Sequence, residues 1–104
     1  MDTIIKGDNK DRCFLCGRTD WIETHHIFNG TANRKKSEKY GLTVHLCHWC
    51  HNEPPNGVHY NQDADTRLKQ IGQQAAMNEY GWTVDEFREI FGSRVVMKGI
   101  KAAK

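Results

Sequence analysis

The sequence predicts an α+β fold in which two cysteine pairs clamp a two-stranded hairpin and a helical pair follows. Three observations carry that expectation: Cys-x2-Cys pairs at Cys13/Cys16 and Cys47/Cys50, two short β-branched and aromatic runs between them, and a helical hydrophobic period in the C-terminal third. At 104 residues and 38% hydrophobic content, the chain can form one domain with a modest core. It reads as a single domain over 1–104, with a cysteine- and histidine-rich core at about 11–62 and a helical part at about 63–95.

The cysteines come first because a core this small needs other support. Thiolates two residues apart in a tight turn fill two corners of a zinc tetrahedron, and two such pairs complete it, so Cys13, Cys16, Cys47 and Cys50 are expected to hold a structural Zn2+. Residues 17–46 exceed a usual zinc-finger spacer, so the clamp closes the base of an excursion that carries something else. Two disulfides are the alternative, and the polar residues 1–11, interrupted only by Ile4 and Ile5, do not resemble a secretory leader. A redox Cys-x2-Cys is disfavoured because no βαβ pattern surrounds it. The expected compartment is therefore a reducing cytoplasm. No apolar run is long enough to cross a bilayer, so no membrane partner is expected. A net charge of +2 selects no ligand class.

Within the excursion, residues 21–28 (Trp-Ile-Glu-Thr-His-His-Ile-Phe) read as a strand bounded by Asn29-Gly30, and residues 42–46 as a second. Residues 29–41 carry Arg34, Lys35, Lys36 and Lys39 and read as a basic connecting loop. Pro54-Pro55 limits any helix after His51 to one or two turns. Leu68, Ile71, Ala75 and Ala76 then follow the helical period, and Gly81 is placed to end that helix. A capping box at residues 83–86 starts a last helix with Phe87, Ile90 and Phe91 on one face and Gly92 at its end. Leu68, Ile71, Trp82, Phe87, Ile90 and Phe91 are expected only to pack this pair onto the domain. Residues 98–104 read as a frayed basic terminus.

Neighbouring residues on a strand face opposite ways, so His25 and His26 suit different jobs. His45 and His48 read as structural histidines. The ordered set of Cys13-x2-Cys16, His25-His26-Ile27 and Leu46-Cys47-x2-Cys50-His51 resembles the cysteine-bearing HNH endonucleases. The likeness covers residues 13 to about 60, and the stretches 29–34 and 81–92 look like small phage HNH proteins. It implies a ββα-metal motif that hydrolyses DNA phosphodiester bonds with one catalytic divalent ion (Mg2+, Mn2+, Ni2+ or Zn2+), in the cytoplasm of a bacterial host cell. It also implies His26 as the general base, suited by an imidazole's near-neutral titration, with His25 and His51 as metal ligands. His59, beyond Pro54-Pro55, stands open as a third ligand, a proton donor to the leaving group, or a surface residue. Arg34, Lys35 and Lys36 are candidates for phosphate contacts.

One departure from the family pattern is that Leu42 and Thr43 stand where the middle asparagine belongs, leaving Asn29 or Asn33 as substitutes in supporting His26. Two other functions compete. A zinc-knuckle DNA- or protein-binding module would keep the four cysteines without needing His26, and a recombination-linked nuclease would act only with a phage or recombination protein partner. A zinc deaminase is excluded, because Phe28 stands where His-x-Glu needs its glutamate.

Overall fold

Ile22–His26 forms β1 and Thr43–Cys47 forms β2, paired antiparallel from Ile22 opposite Cys47 to His26 opposite Thr43. The computed structural model describes residues 3–97. Both strands lie where the β-branched runs predict, but β1 starts at Ile22 because Trp21 turns into the left-handed region at φ 51°. For a bulky side chain that conformation costs about 1–2 kcal/mol. The Trp21 carbonyl accepts from the His48 N–H at 2.8 Å and so joins the strand's start to the next element.

The basic connection is not a loop. Thr31–Tyr40 forms the helix α1, with Gly30 before it and Gly41 closing it in the left-handed conformation. Its residues are mostly good helix formers, yet only Ser37 is buried, so no apolar stripe announces it. Ser37 pins α1 instead. Its hydroxyl donates to the Phe28 carbonyl at 2.7 Å and accepts from the Phe28 N–H at 3.1 Å, satisfying backbone groups that follow β1. At the other end, the Lys36 ammonium donates to the Ile90 carbonyl and Asn33 Nδ2 to that of Phe91 at 3.1 Å.

After β2 the chain turns directly into α2, His48–His51, as short as the two prolines require. Residues 52–61 form a turn-rich return in which Val58 N–H donates to Cys50 at 2.7 Å and Gly57 N–H to Glu53 at 2.6 Å. A Cβ on Gly57 would lie 2.8 Å from the Glu53 nitrogen, so this close approach needs glycine.

Gln62–Tyr80 forms α3, capped by the Asn61 side chain and ended by left-handed Gly81. Val84–Phe91 forms α4, with the expected capping box between Thr83 and Glu86. A 3-10 turn covers Ser93–Val95. The core gathers Ile27, Phe28, Leu42, Val44, Leu46, Leu68, Ala76, Phe87 and Phe91, with the Phe28 ring 5.3 Å from Phe87 and 4.8 Å from Phe91. Leu68, Ile71, Trp82, Phe87, Ile90 and Phe91 all pack in or against it. Gly72, Gln73 and Met77, which the expected stripe omits, are also buried on α3. The fold is thus mixed α and β, with a two-stranded antiparallel sheet and four α-helices among the described residues. The basic residues 98–104 lie outside that range.

Candidate metal centres

Two groups of side chains that could hold a metal meet at α2, which carries Cys50 of one and His51 of the other. The first is Cys13, Cys16, Cys47 and Cys50, whose sulfurs all lie within 4.8 Å of one another. All four cysteines are free thiols. Cys16 and Cys47 sulfurs are 3.7 Å apart, against about 3.8 Å between two sulfurs of a tetrahedron with 2.3 Å zinc bonds. Burial pushes the Cys13 thiol up, but backbone donors at Cys47, Cys16 and Leu15 outweigh it and bring its pKa down to about 7. Burial, with the other thiols alongside, raises Cys50. Four thiols so crowded are suited to share one cation. The cluster therefore suggests a structural zinc, clamping residues 13–16 against the end of β2.

The second group is His25, His51 and His59, with ligand nitrogens likewise within 4.8 Å of one another. Their ring centroids are 4.9–5.4 Å apart. His25 comes from β1 and is only 2% exposed. His51 comes from the last residue of α2, and the 52–61 return carries the exposed His59 back to face them. Burial, then the neighbouring His51 and His59, hold the His25 imidazole down to about 3, so it is neutral. Among the described residues its Nε2 is the one buried side-chain nitrogen or oxygen without a hydrogen-bond partner. Leaving such an atom unsatisfied costs about 1–3 kcal/mol, and a neutral imidazole gathered with two others fits a divalent cation.

His26 faces away from His25, as strand alternation requires, yet its ring lines the same cleft of about 200 Å³ with Thr24, Asn29, Arg34, His51 and His59. Its Nε2 lies 3.0 Å from Glu38 Oε1 on α1. Neither suggested asparagine supports it by a hydrogen bond: Asn33 is held by Phe91, while Asn29 only lines the cleft. Of the three basic candidates, Arg34 reaches the cleft, Lys35 is exposed on α1, and Lys36 is engaged with Ile90. His45 pairs with Asp8 at 2.7 Å, in keeping with a structural role.

Two carboxylates that sequence reasoning missed stand beside the histidines. Glu23 accepts from His51 Nδ1 at 2.8 Å, Asn52 Nδ2 at 2.9 Å and His48 Nδ1 at 3.1 Å. Burial pushes its carboxyl up, but the bonds from His51, His48 and Asn52 win and hold it below the ordinary range. With Nδ1 donating to Glu23, His51 keeps Nε2 free to bind an ion. Glu23 shares a strand face with His25, a period-two signal that points to it in the sequence. Glu38 has no such signal, because its relation to His26 depends on α1.

Leu15 and Trp49, inside the two Cys-x2-Cys pairs, and nearby Trp21 are exposed. Trp21, 58% exposed, stacks on His48 at 4.0 Å, and Trp49 stands edge-on to Trp21 at 5.3 Å under the Arg18 guanidinium. No helix among the described residues is long and apolar enough to cross a membrane. Comparison with family models, with curated proteins and with solved structures finds no match to this chain.

Proposed function

We propose that the chain is a metal-dependent endonuclease that hydrolyses DNA phosphodiester bonds, built on the ββα-metal motif of the HNH nucleases. The observation that carries this reading is the gathering of buried His25, whose Nε2 has no hydrogen-bond partner, with His51 and His59, and with His26 in the same cleft. The order of β1, β2 and α2, with His25-His26 ending the first strand and His51 on the helix, supports the motif. The four-cysteine clamp supports the zinc-bearing form of it.

In this reading His25, His51 and His59 hold the ion, and Glu23 fixes the ring of His51. A divalent ion bound there, Mg2+, Mn2+, Ni2+ or Zn2+, would supply a Lewis acid to the scissile phosphate. His26 takes the proton of the attacking water, and Arg34 meets phosphate charge from the α1 side of the cleft. The exposed Leu15 and Trp49 on the knuckles, with exposed Trp21 stacked on His48, favour a second reading, a module that binds nucleic acid or protein without cutting.

The two readings separate on plasmid cleavage by purified zinc-loaded protein with EDTA, Mg2+, Mn2+, Ni2+ or Zn2+ added, and His26→Ala alongside. Nicking that needs added metal and is absent from the folded variant is expected. Equal cleavage by His26→Ala would sink the mechanism. Folded, zinc-loaded wild type that cuts under none of the metals would favour the binding module, or a nuclease that waits for a phage or recombination partner.

A further inference from the structure

We infer that Glu38 is the positioning residue of His26, fixing the imidazole so that Nδ1 is the nitrogen that receives the proton. This rests on the nuclease reading, whose pattern leaves the support of His26 unassigned. A carboxylate only accepts, so the 3.0 Å contact between Glu38 Oε1 and His26 Nε2 requires the proton on Nε2. In a neutral ring that leaves Nδ1 with the lone pair. No other hydrogen bond to the His26 ring is found among the described residues.

The geometry that makes Glu38 available is fixed one residue away. Ser37 is fully buried and locked in both directions to Phe28, two residues beyond His26. The register of α1 against the end of β1 is therefore set by the core rather than by the surface carboxylate. One turn earlier on the helix, Arg34 lines the cleft, so successive turns present a cation to the cleft and an orienting carboxylate to His26. The Glu38 side chain is 65% exposed while that of His26 is 13% exposed. An ion pair so open to solvent adds little stability, and removing it should leave the fold intact. What it supplies is a preferred tautomer of a ring held inside the cleft.

The test uses the full zinc-loaded chain as wild type, Glu38→Ala and Glu38→Gln. Long-range proton–nitrogen spectra of the imidazoles, recorded where His26 is neutral and assigned by the signal lost in His26→Ala, should show Nε2 protonated and Nδ1 bare in the wild type. Glu38→Ala should show a tautomer mixture and a kcat on duplex DNA reduced about 10–100-fold with KM little changed. Glu38→Gln retains an amide oxygen able to accept from Nε2, and should restore both the tautomer and most of kcat. A proton on Nδ1 in the wild type, or Glu38→Ala with wild-type tautomer and kcat, would overturn the inference. Folded wild type that cuts no DNA under any metal would turn the nuclease reading toward the binding module or a partner-dependent nuclease, and the spectra alone would then decide the role of Glu38, a wild-type tautomer in Glu38→Ala overturning it.

Discussion

Removing the Glu23 carboxylate should loosen metal binding at the histidines without unfolding the protein. Three donors converge on it: His51 Nδ1 at 2.8 Å, Asn52 Nδ2 at 2.9 Å and His48 Nδ1 at 3.1 Å. Only the first acts on the proposed ligand set. Loss of a carboxylate behind a metal-bound imidazole typically costs 10–100-fold in affinity, or about 1.4–2.8 kcal/mol. The side chain is 27% exposed, so water can replace part of what Glu23→Ala removes, and the lower half of that range is expected. In Glu23→Gln the amide oxygen can serve His51 while its NH2 faces His48, which can shift its own proton to the nitrogen near Glu53 Oε1 at 3.0 Å. The glutamine variant should therefore bind more tightly than the alanine variant and more weakly than wild type. Calorimetric titration of Ni2+ into zinc-loaded protein measures this, with His51→Ala setting the floor and thermal melts confirming the fold. Wild-type Ni2+ affinity in folded Glu23→Ala would refute the reasoning, because His51 would then be oriented without its carboxylate.

Two further outcomes follow from packing and from the cysteines. Gly72→Ala would place a Cβ 2.9 Å from Ile27 Cγ2 and 3.1 Å from Phe28 Cε2; overpacking of about 1–3 kcal/mol should exceed the helical gain of about 1 kcal/mol. The melting temperature should fall by several degrees, and a rise would show that the contact between α3 and residues 27–28 yields freely. Cys47→Ser should lose bound zinc by elemental analysis together with the cooperative melt, because this residue both ends β2 and precedes α2. Stoichiometric zinc and wild-type far-ultraviolet dichroism in that variant would contradict a structural clamp.

The parts of the fold legible in the sequence were those written in local chemistry. Cysteine spacing located both knuckles, the Thr83–Glu86 box marked the start of α4, and Gly81 marked the end of α3. Both strands were legible to within two residues at each end because their β-branched runs are short and clearly bounded. The helix α1 was not, since its anchor is one buried serine and its capping work is done by Lys36 and Asn33 on another helix. Hydrophobic periodicity cannot reveal a helix that contributes so little apolar surface. The histidines stood out by type and order, whereas Glu23 and Glu38 acquire partners 28 and 12 residues away. His59 was open for a related reason: whether it meets His25 is decided by the return over residues 52–61, where Gly57 permits a backbone approach that no spacing rule announces.

A single turn of backbone belongs to both metal centres. Cys47 and Cys50 lie on the sulfur side, and His51 follows on the nitrogen side. This makes the two centres unequal in order of loss. A mild chelator that stripped only the histidines would leave a folded, silent protein that recovers when metal returns. An oxidant or a chelator strong enough to take the cysteines would dissolve the histidine arrangement as well, whatever metal was in solution. For so short a chain, loss at the histidines would be local and reversible, whereas loss at the thiols would take both centres together.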